Sequence, residues 1–145
     1  MVSFLAMSKL NLLFAHNEQN WRLFAARTLA DEWRVIPCDS VSSALVLIRF
    51  QRLDAAILDL NLQPGTLNGS DGSGQYSVRA LVERLKSEGT HVGLITGWPI
   101  HETNRIAAEL QVQVYEVDGI GNSSSLLQIA YEIHRPHPAT PERRY

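Results

Sequence analysis

The stretch DAAILDLNLQPG, Asp54 to Gly65, decides how the rest of the chain is read, because Ala55 to Leu60 is a buried-strand run with one aspartate, Asp59, set into its end. A strand apolar on both sides belongs inside a sheet whose two faces are covered, which is the habit of parallel sheets. Working back from it, Leu10 to Ala15 is another strand-length apolar run. Trp21, Phe24, Ala25 and Leu29 follow at helical spacing, with Asn20 expected to cap that helix. Arg34 to Cys38 reads as a further strand, which Pro37 confines to an edge or an end. Asp39 or Ser40 then opens a helix that carries Ala44, Leu45 and Ile48.

Working forward, Val78, Leu81, Val82 and Leu85 make an i, i+3, i+4, i+7 stripe, and Gly89 is placed to stop it. His91 to Thr96 reads as the fourth strand, and Thr103, Ile106, Ala107 and Leu110 share the next helix face. Val112 to Val117 is a short fifth strand, and Asn122 to Ser125 offers caps for a last helix with Leu126, Ala130 and Ile133 inward. Strands alternating with helices in this way predict βαβ units: an α/β fold, flavodoxin-like (βα)5, with a five-stranded parallel sheet in the order 2-1-3-4-5 and helices on both faces.

The 145 residues hold 13 Lys and Arg against 15 Asp and Glu, a formal net charge of −2, with 45% hydrophobic and 19% charged residues. That balance excludes a disordered or fibrous chain and gives no reason to expect nucleic acid or an anionic membrane as the main partner. A chain of this length buries roughly 68–70% of its unfolded surface, so it needs neither disulfide nor metal to fold. Cys38 is the single cysteine, which rules out an internal disulfide framework and fits a reducing compartment. No apolar run reaches the roughly 18 residues of a membrane span. Met1 to Ala15 is only faintly like a signal peptide, because Lys9 interrupts it and no basic stretch precedes it. The expectation is a soluble, cytoplasmic protein: an extension over residues 1–8, one domain over 9–134, and a frayed tail over 135–145.

Gln63 to Gln75, QPGTLNGSDGSGQ, is long for a strand-to-helix connection, where about 2–6 residues is usual. It lacks the G-K-[ST] ending of a phosphate-binding loop. Gly119 and Gly121 lack the third glycine of a dinucleotide fingerprint. Both stretches read as turns. Cys38 reads as a packed thiol, there is no G-x-S-x-G elbow, and His134 and His137 read as solvated residues of the tail.

In parallel sheets of this kind functional groups gather where strands end and helices begin. The positions to inspect are therefore His16 to Glu18, Asp59 to Asn61, Thr96 to Trp98 and Asp118 to Gly121. Four stretches there, LNLLFAHNEQNWR, DAAILDLNLQPG, VGLITGWP and VQVYEVDGI, occur in order at family spacing, and the chain from about Lys9 to His134 resembles the receiver domain of bacterial response regulators. The resemblance implies an aspartate that attacks a phosphoryl group, with Mg²⁺ held by two carboxylates, the nucleophile and a backbone carbonyl. It also implies a lysine that offsets charge, a hydroxyl residue that captures a phosphoryl oxygen, and an aromatic residue that reports the event. By that resemblance Asp59 is the phosphoacceptor position, Asn61 lends the carbonyl, Thr96 is the hydroxyl, and Tyr115 is the switch aromatic.

The rest of the pattern is broken. The acidic-pair positions are His16 and Asn17, Glu18 falls one residue too late, and the lysine position is Asp118, followed by Gly119 where the family has proline. One carboxylate beside an imidazole and an amide makes a poor Mg²⁺ site. Exchanging Lys for Asp removes an attraction and adds a repulsion, each on the order of 3 kcal/mol at about 5 Å and an effective dielectric near 20. The expectation is a degenerate phosphorylation site, no catalytic residue, no cofactor, and no metal unless Asp59 holds one. The protein is then not an enzyme. It acts by binding a signalling protein, a histidine kinase or a downstream effector, and any homodimer uses the face made by the fourth helix, fifth strand and fifth helix.

Two other readings stay open. Asp59 is a true phosphoacceptor, served by a histidine kinase, if Glu18 or Asp118 completes a rearranged Mg²⁺ site. A small-ligand binder or enzyme on the same scaffold is the third, since fold does not fix function. Among the individual residues, His16 is read either as a hydrogen-bonded structural group or as a positive imidazole paired with Asp59 in place of the missing cation. Asp118 contacts Asn17 or Thr96 or is simply solvated, Trp98 is a partner-facing anchor or a lid, and Tyr115 is a packed aromatic or a switch.

Overall fold

The computed structural model describes residues 9–65, 77–97, 101–117, 120 and 123–134. Five strands, β1 (Leu10–Ala15), β2 (Trp33–Cys38), β3 (Ala55–Asp59), β4 (His91–Thr96) and β5 (Gln113–Glu116), alternate with five helices. These are α1 (Gln19–Thr28), α2 (Val41–Phe50), α3 (Val78–Ser87), α4 (His101–Leu110) and α5 (Ser123–His134). All pairings are parallel and the strand order is β2-β1-β3-β4-β5. Pro37 sits in β2, an edge strand, where a missing N–H costs no ladder bond on the open side.

The alternation of side chains along each central strand splits the interior into two cores. Leu13, Ala15, Ala56, Leu58 and Leu94 face one side with Val41, Ala44, Ile48, Leu81, Val82 and Leu85. Leu12, Phe14, Ala55, Ile57 and Ile95 face the other with Trp21, Ala25, Leu126, Ile129, Ala130 and Ile133. β3 is buried along its whole length, including Asp59. Fully burying one such aliphatic side chain is worth about 1.5–3 kcal/mol, which is why the apolar runs set the sheet.

The helix ends follow local chemistry. Ser40 caps α2 by accepting the Ser43 N–H, and Ser77 caps α3 by accepting that of Ala80. Gly89, at φ +84°, closes α3: its N–H reaches the Lys86 carbonyl and that of Thr90 reaches Leu85, the two bonds of a Schellman end. The expected Asn20 cap is not observed. α1 begins one residue before it, with Glu18 at the cap position and no side-chain hydrogen bond there.

His134 departs from its expectation as a solvated tail residue. It ends α5, its ring lies edge-on to Trp33 and His91 with centroids 5.4 Å away in each case, and its Nδ1 is buried. The helical period carries it inward at the same end of the sheet as those two rings. Cys38 is the packed thiol expected, and burial pushes it up to about 12. The extension over 1–8, the loop from residue 66 to 76, and the tail with His137 lie outside the described residues, as do Trp98, Pro99, Asp118, Gly119, Gly121 and Asn122.

Candidate functional site

The parallel register brings the C-terminal ends of β1, β3 and β4 to one edge, and the side chains there line a cleft of about 510 Å³. His16, Asn17, Glu18, Asp59, Asn61 and Thr96 all lie on its wall, as the sequence placed them. Trp21, Gln63 and Val117 also line it. Trp21 reads from sequence only as part of a helix face, and its ring proves to stack on His16 at 5.2 Å with a 17° interplanar angle.

Asp59 is 8% exposed and ends β3 beside Ile95. Its Oδ1 accepts the Asn61 N–H at 3.3 Å, and its Oδ2 lies 3.6 Å from His16 Nε2. Burial holds its carboxyl above the ordinary carboxylate range, against the opposing pull of His16 and of the Asn61 N–H. His16 is 7% exposed, and its ring clusters with those of Phe14 and Trp21, which also contact each other. Its Nδ1 accepts the Glu18 N–H at 3.1 Å, so that nitrogen carries no proton and the proton of the neutral ring sits on Nε2, toward Asp59. Burial lowers the His16 pKa below its ordinary 6.5, although Asp59 and Glu18 draw it upward. Both shifts, and the bond at Nδ1, favour a neutral imidazole. The ring touches Asp59, but it does not supply the positive charge that one reading of the sequence gave it.

Asn17 bridges two backbone groups of the cleft. Its Nδ2 donates to the Asn61 carbonyl at 3.0 Å, and its Oδ1 accepts the Gln63 N–H at 2.8 Å. Arg22 is committed to the backbone, donating from Nη1 to the carbonyls of His16 and Asn17 at 2.7 and 2.9 Å.

These contacts bear on whether the site suits Mg²⁺. The Asn61 carbonyl, which the resemblance assigns to the metal, already accepts an amide N–H; the imidazole presents an N–H; Asp59 is the anion at the centre. A small hard cation that keeps its water and prefers anionic oxygen is poorly served by this set. No group of three or more His, Cys, Asp or Glu able to hold a metal occurs among the described residues.

Thr96 is 1% exposed at the end of β4, and its carbonyl accepts the Val117 N–H at 3.0 Å. Tyr115, in contrast, does not line the cleft. Its ring lies over Gly93, with Cε2 3.3 Å from where a Cβ on that glycine would stand. Its hydroxyl donates to Glu132 of α5, and burial together with that carboxylate pushes the phenol up to about 12. It lines a separate cleft of about 220 Å³ with Lys86, Thr90, His91 and Glu132, toward the opposite end of β4. A glycine three residues from Thr96 leaves the space that draws the ring that way, and this pairing has no signature in the sequence.

The fold has counterparts among solved structures. The chemotaxis protein CheY4 of Vibrio cholerae superposes with a TM-score of 0.69 at 18% identity, over 87% of this chain and 99% of that one. A response regulator from Thermotoga maritima gives 0.68 at 15%, over 89% and 100%. The non-phosphorylated HemR receiver domain of Leptospira biflexa gives 0.65 at 21%, over 90% and 98%. This is the receiver-domain fold. Identities this low establish the receiver fold and leave the chemistry to the residues in the cleft. Compared by sequence, the chain matches no protein-family model and no curated protein. None of the described helices is long and apolar enough to cross a membrane.

Proposed function

We propose that this chain is a response-regulator receiver module whose phosphoacceptor cleft is degenerate and which signals by binding another protein. The observation that carries this reading is the pairing of Asp59 with a neutral His16 while the Asn17 amide occupies the Asn61 carbonyl. Phosphoryl transfer to a carboxylate brings two anions together, and cations must offset that charge. Among the described residues the side chain paired with Asp59 is the His16 imidazole, Glu18 adds a like charge, and the sequence puts Asp118 where the family has lysine. Several kcal/mol of lost stabilisation slow such a transfer by orders of magnitude.

The partner is a histidine kinase or a downstream effector, and the face built from α4, β5 and α5 suits it. β5 is an edge strand, and α5 leaves Leu127 and Tyr131 exposed one turn apart. A second copy of the chain is the other candidate for this face. The single cysteine, buried and held as a thiol, suits a reducing cytoplasm.

The test incubates the protein with a small-molecule phosphodonor and excess Mg²⁺ and reads the intact mass. Wild type and Asp59→Asn are expected to remain equally unmodified. A phosphorylated species in wild type that Asp59→Asn abolishes would establish the alternative, a true acceptor with a rearranged metal site. Trp21 gives an independent optical readout from inside the cleft: its fluorescence stays flat on adding Mg²⁺ with beryllium fluoride under the first reading and changes under the second.

A further inference from the structure

We propose that the Asn17 side-chain amide does for this cleft, by hydrogen bonds alone, the mechanical work a bound cation would do: it fastens the loop after Asp59 to the end of β1, and through that loop to the first turn of α2.

The bonds form a closed circuit. From Asn17 one bond runs to the Asn61 carbonyl at 3.0 Å and one comes from the Gln63 N–H at 2.8 Å, so a single amide grips the loop backbone on both sides of Leu62. The next two carbonyls of the loop, Gln63 and Pro64, accept the N–H groups of Val41 and Ser42 at 2.9 Å each. Those are the first two N–H groups of α2, which have no acceptor within the helix. The third, Ser43, goes to the Ser40 hydroxyl. Gly65, at φ +83°, lets the backbone lie against Ser40 and Ser42; a Cβ there would stand 2.2 Å from the Ser42 Oγ. The His16 N–H, donating to the Cys38 carbonyl at 3.0 Å, joins β1 back to β2 and closes the ring.

A cation at this position draws acceptor oxygens together. An amide achieves the same closure because it carries a donor toward Asn61 and an acceptor toward Gln63, and it needs no net charge. The consequence is a loop held in one arrangement in the absence of metal. This holds whether or not Asp59 ever accepts a phosphoryl group, so it goes beyond the functional reading above and fails separately from it.

Asn17→Asp is the decisive variant, since it keeps the acceptor for Gln63 and turns the donor toward Asn61 into a second acceptor. Thermal unfolding is followed in chelator and in excess Mg²⁺ or Mn²⁺. Wild type is expected to melt at the same temperature in both. Asn17→Asp is expected to melt lower in chelator and to recover with metal, because a cation can bridge the new carboxylate, Asp59 and the Asn61 carbonyl. Asn17→Ala is expected to melt lower without recovery, and its Gln63, Val41 and Ser42 amides to exchange with solvent about tenfold faster or more, while those of β4 keep their protection. If neither variant folds, wild type alone decides: its Gln63 amide is protected in chelator and gains nothing from metal. A metal-dependent rise in the wild-type melting temperature, an Asn17→Asp protein indifferent to metal, or unchanged exchange at Val41 and Ser42 in Asn17→Ala overturns the proposal.

Discussion

His16 Nε2 stands 3.6 Å from Asp59 Oδ2 while Nδ1 of the same ring accepts the backbone N–H of Glu18, so the imidazole meets the carboxylate in one fixed tautomer. The fixed tautomer makes the pair a neutral group beside an acid rather than an ion pair, and the folded state disfavours charge on either member.

The first consequence is spectroscopic. In an NMR titration His16 is expected to titrate below its ordinary 6.5, and in Asp59→Asn lower still, since the carboxylate is the main influence drawing it upward. Because the folded pKa lies below the unfolded one, the stability from neutral His16 is fully present above pH 6.5 and is lost as pH falls from there through the folded value. Chemical denaturation of wild type and His16→Gln between pH 5 and 8 reads this as a slope present in the first and reduced in the second.

Asp59 gives the opposite sign. Its folded pKa is raised above 3.8, so the cost of ionising it is absent below that pH and builds as pH rises through the folded value. Asp59→Asn, which keeps an acceptor for the Asn61 N–H, is expected to be more stable than wild type at neutral pH. The two should converge in acid. A wild type that matches or exceeds the variant at neutral pH would mean that His16 and Asn61 outweigh burial.

Tyr115 is expected to behave as a strut between β5 and α5. Its phenol titrates at about 12, and Glu132→Gln lowers that value by removing the carboxylate's repulsion of the phenolate. Tyr115→Phe loses one hydrogen bond and is expected to cost about 1 kcal/mol in denaturant unfolding, with little further effect in a Glu132→Ala background, where the acceptor is gone.

Gly65→Ala tests the seat of the loop on α2. The positive φ and the 2.2 Å approach to Ser42 Oγ leave no room for a methyl group. A loss of about 1–3 kcal/mol is expected. Gly89→Ala shares the positive φ but meets nothing within 4 Å, so its cost is expected to be the smaller, about 1 kcal/mol.

Most of the fold was legible because burial is written in local periodicity. The apolar runs at Leu10, Ala55 and His91 gave strands that the structure places at Leu10–Ala15, Ala55–Asp59 and His91–Thr96. Pro37 marked an edge strand, and Gly89 marked a helix end. The Asn20 cap is not legible from residue type, because Asn suits a cap wherever a helix might begin, whereas α1 begins at Gln19 with Glu18 at the cap position. His134 departs from its expectation for a similar reason: prolines nearby suggest a tail, whereas α5 runs through His134 and sets its ring against Trp33 and His91.

The sequence by itself determined the order of elements, the parallel sheet, and the edge at which His16, Asn17, Asp59, Asn61 and Thr96 meet, since spacing along the chain and hydrophobic period suffice to fix these. Only the tertiary structure decided what those residues do to one another: that His16 faces Asp59 with an N–H, that Asn17 closes the loop through Asn61 and Gln63, and that Tyr115 turns from the cleft to Glu132. Hydrogen bonds are directional and act over about 3 Å between groups distant in sequence, so composition and periodicity carry no record of them.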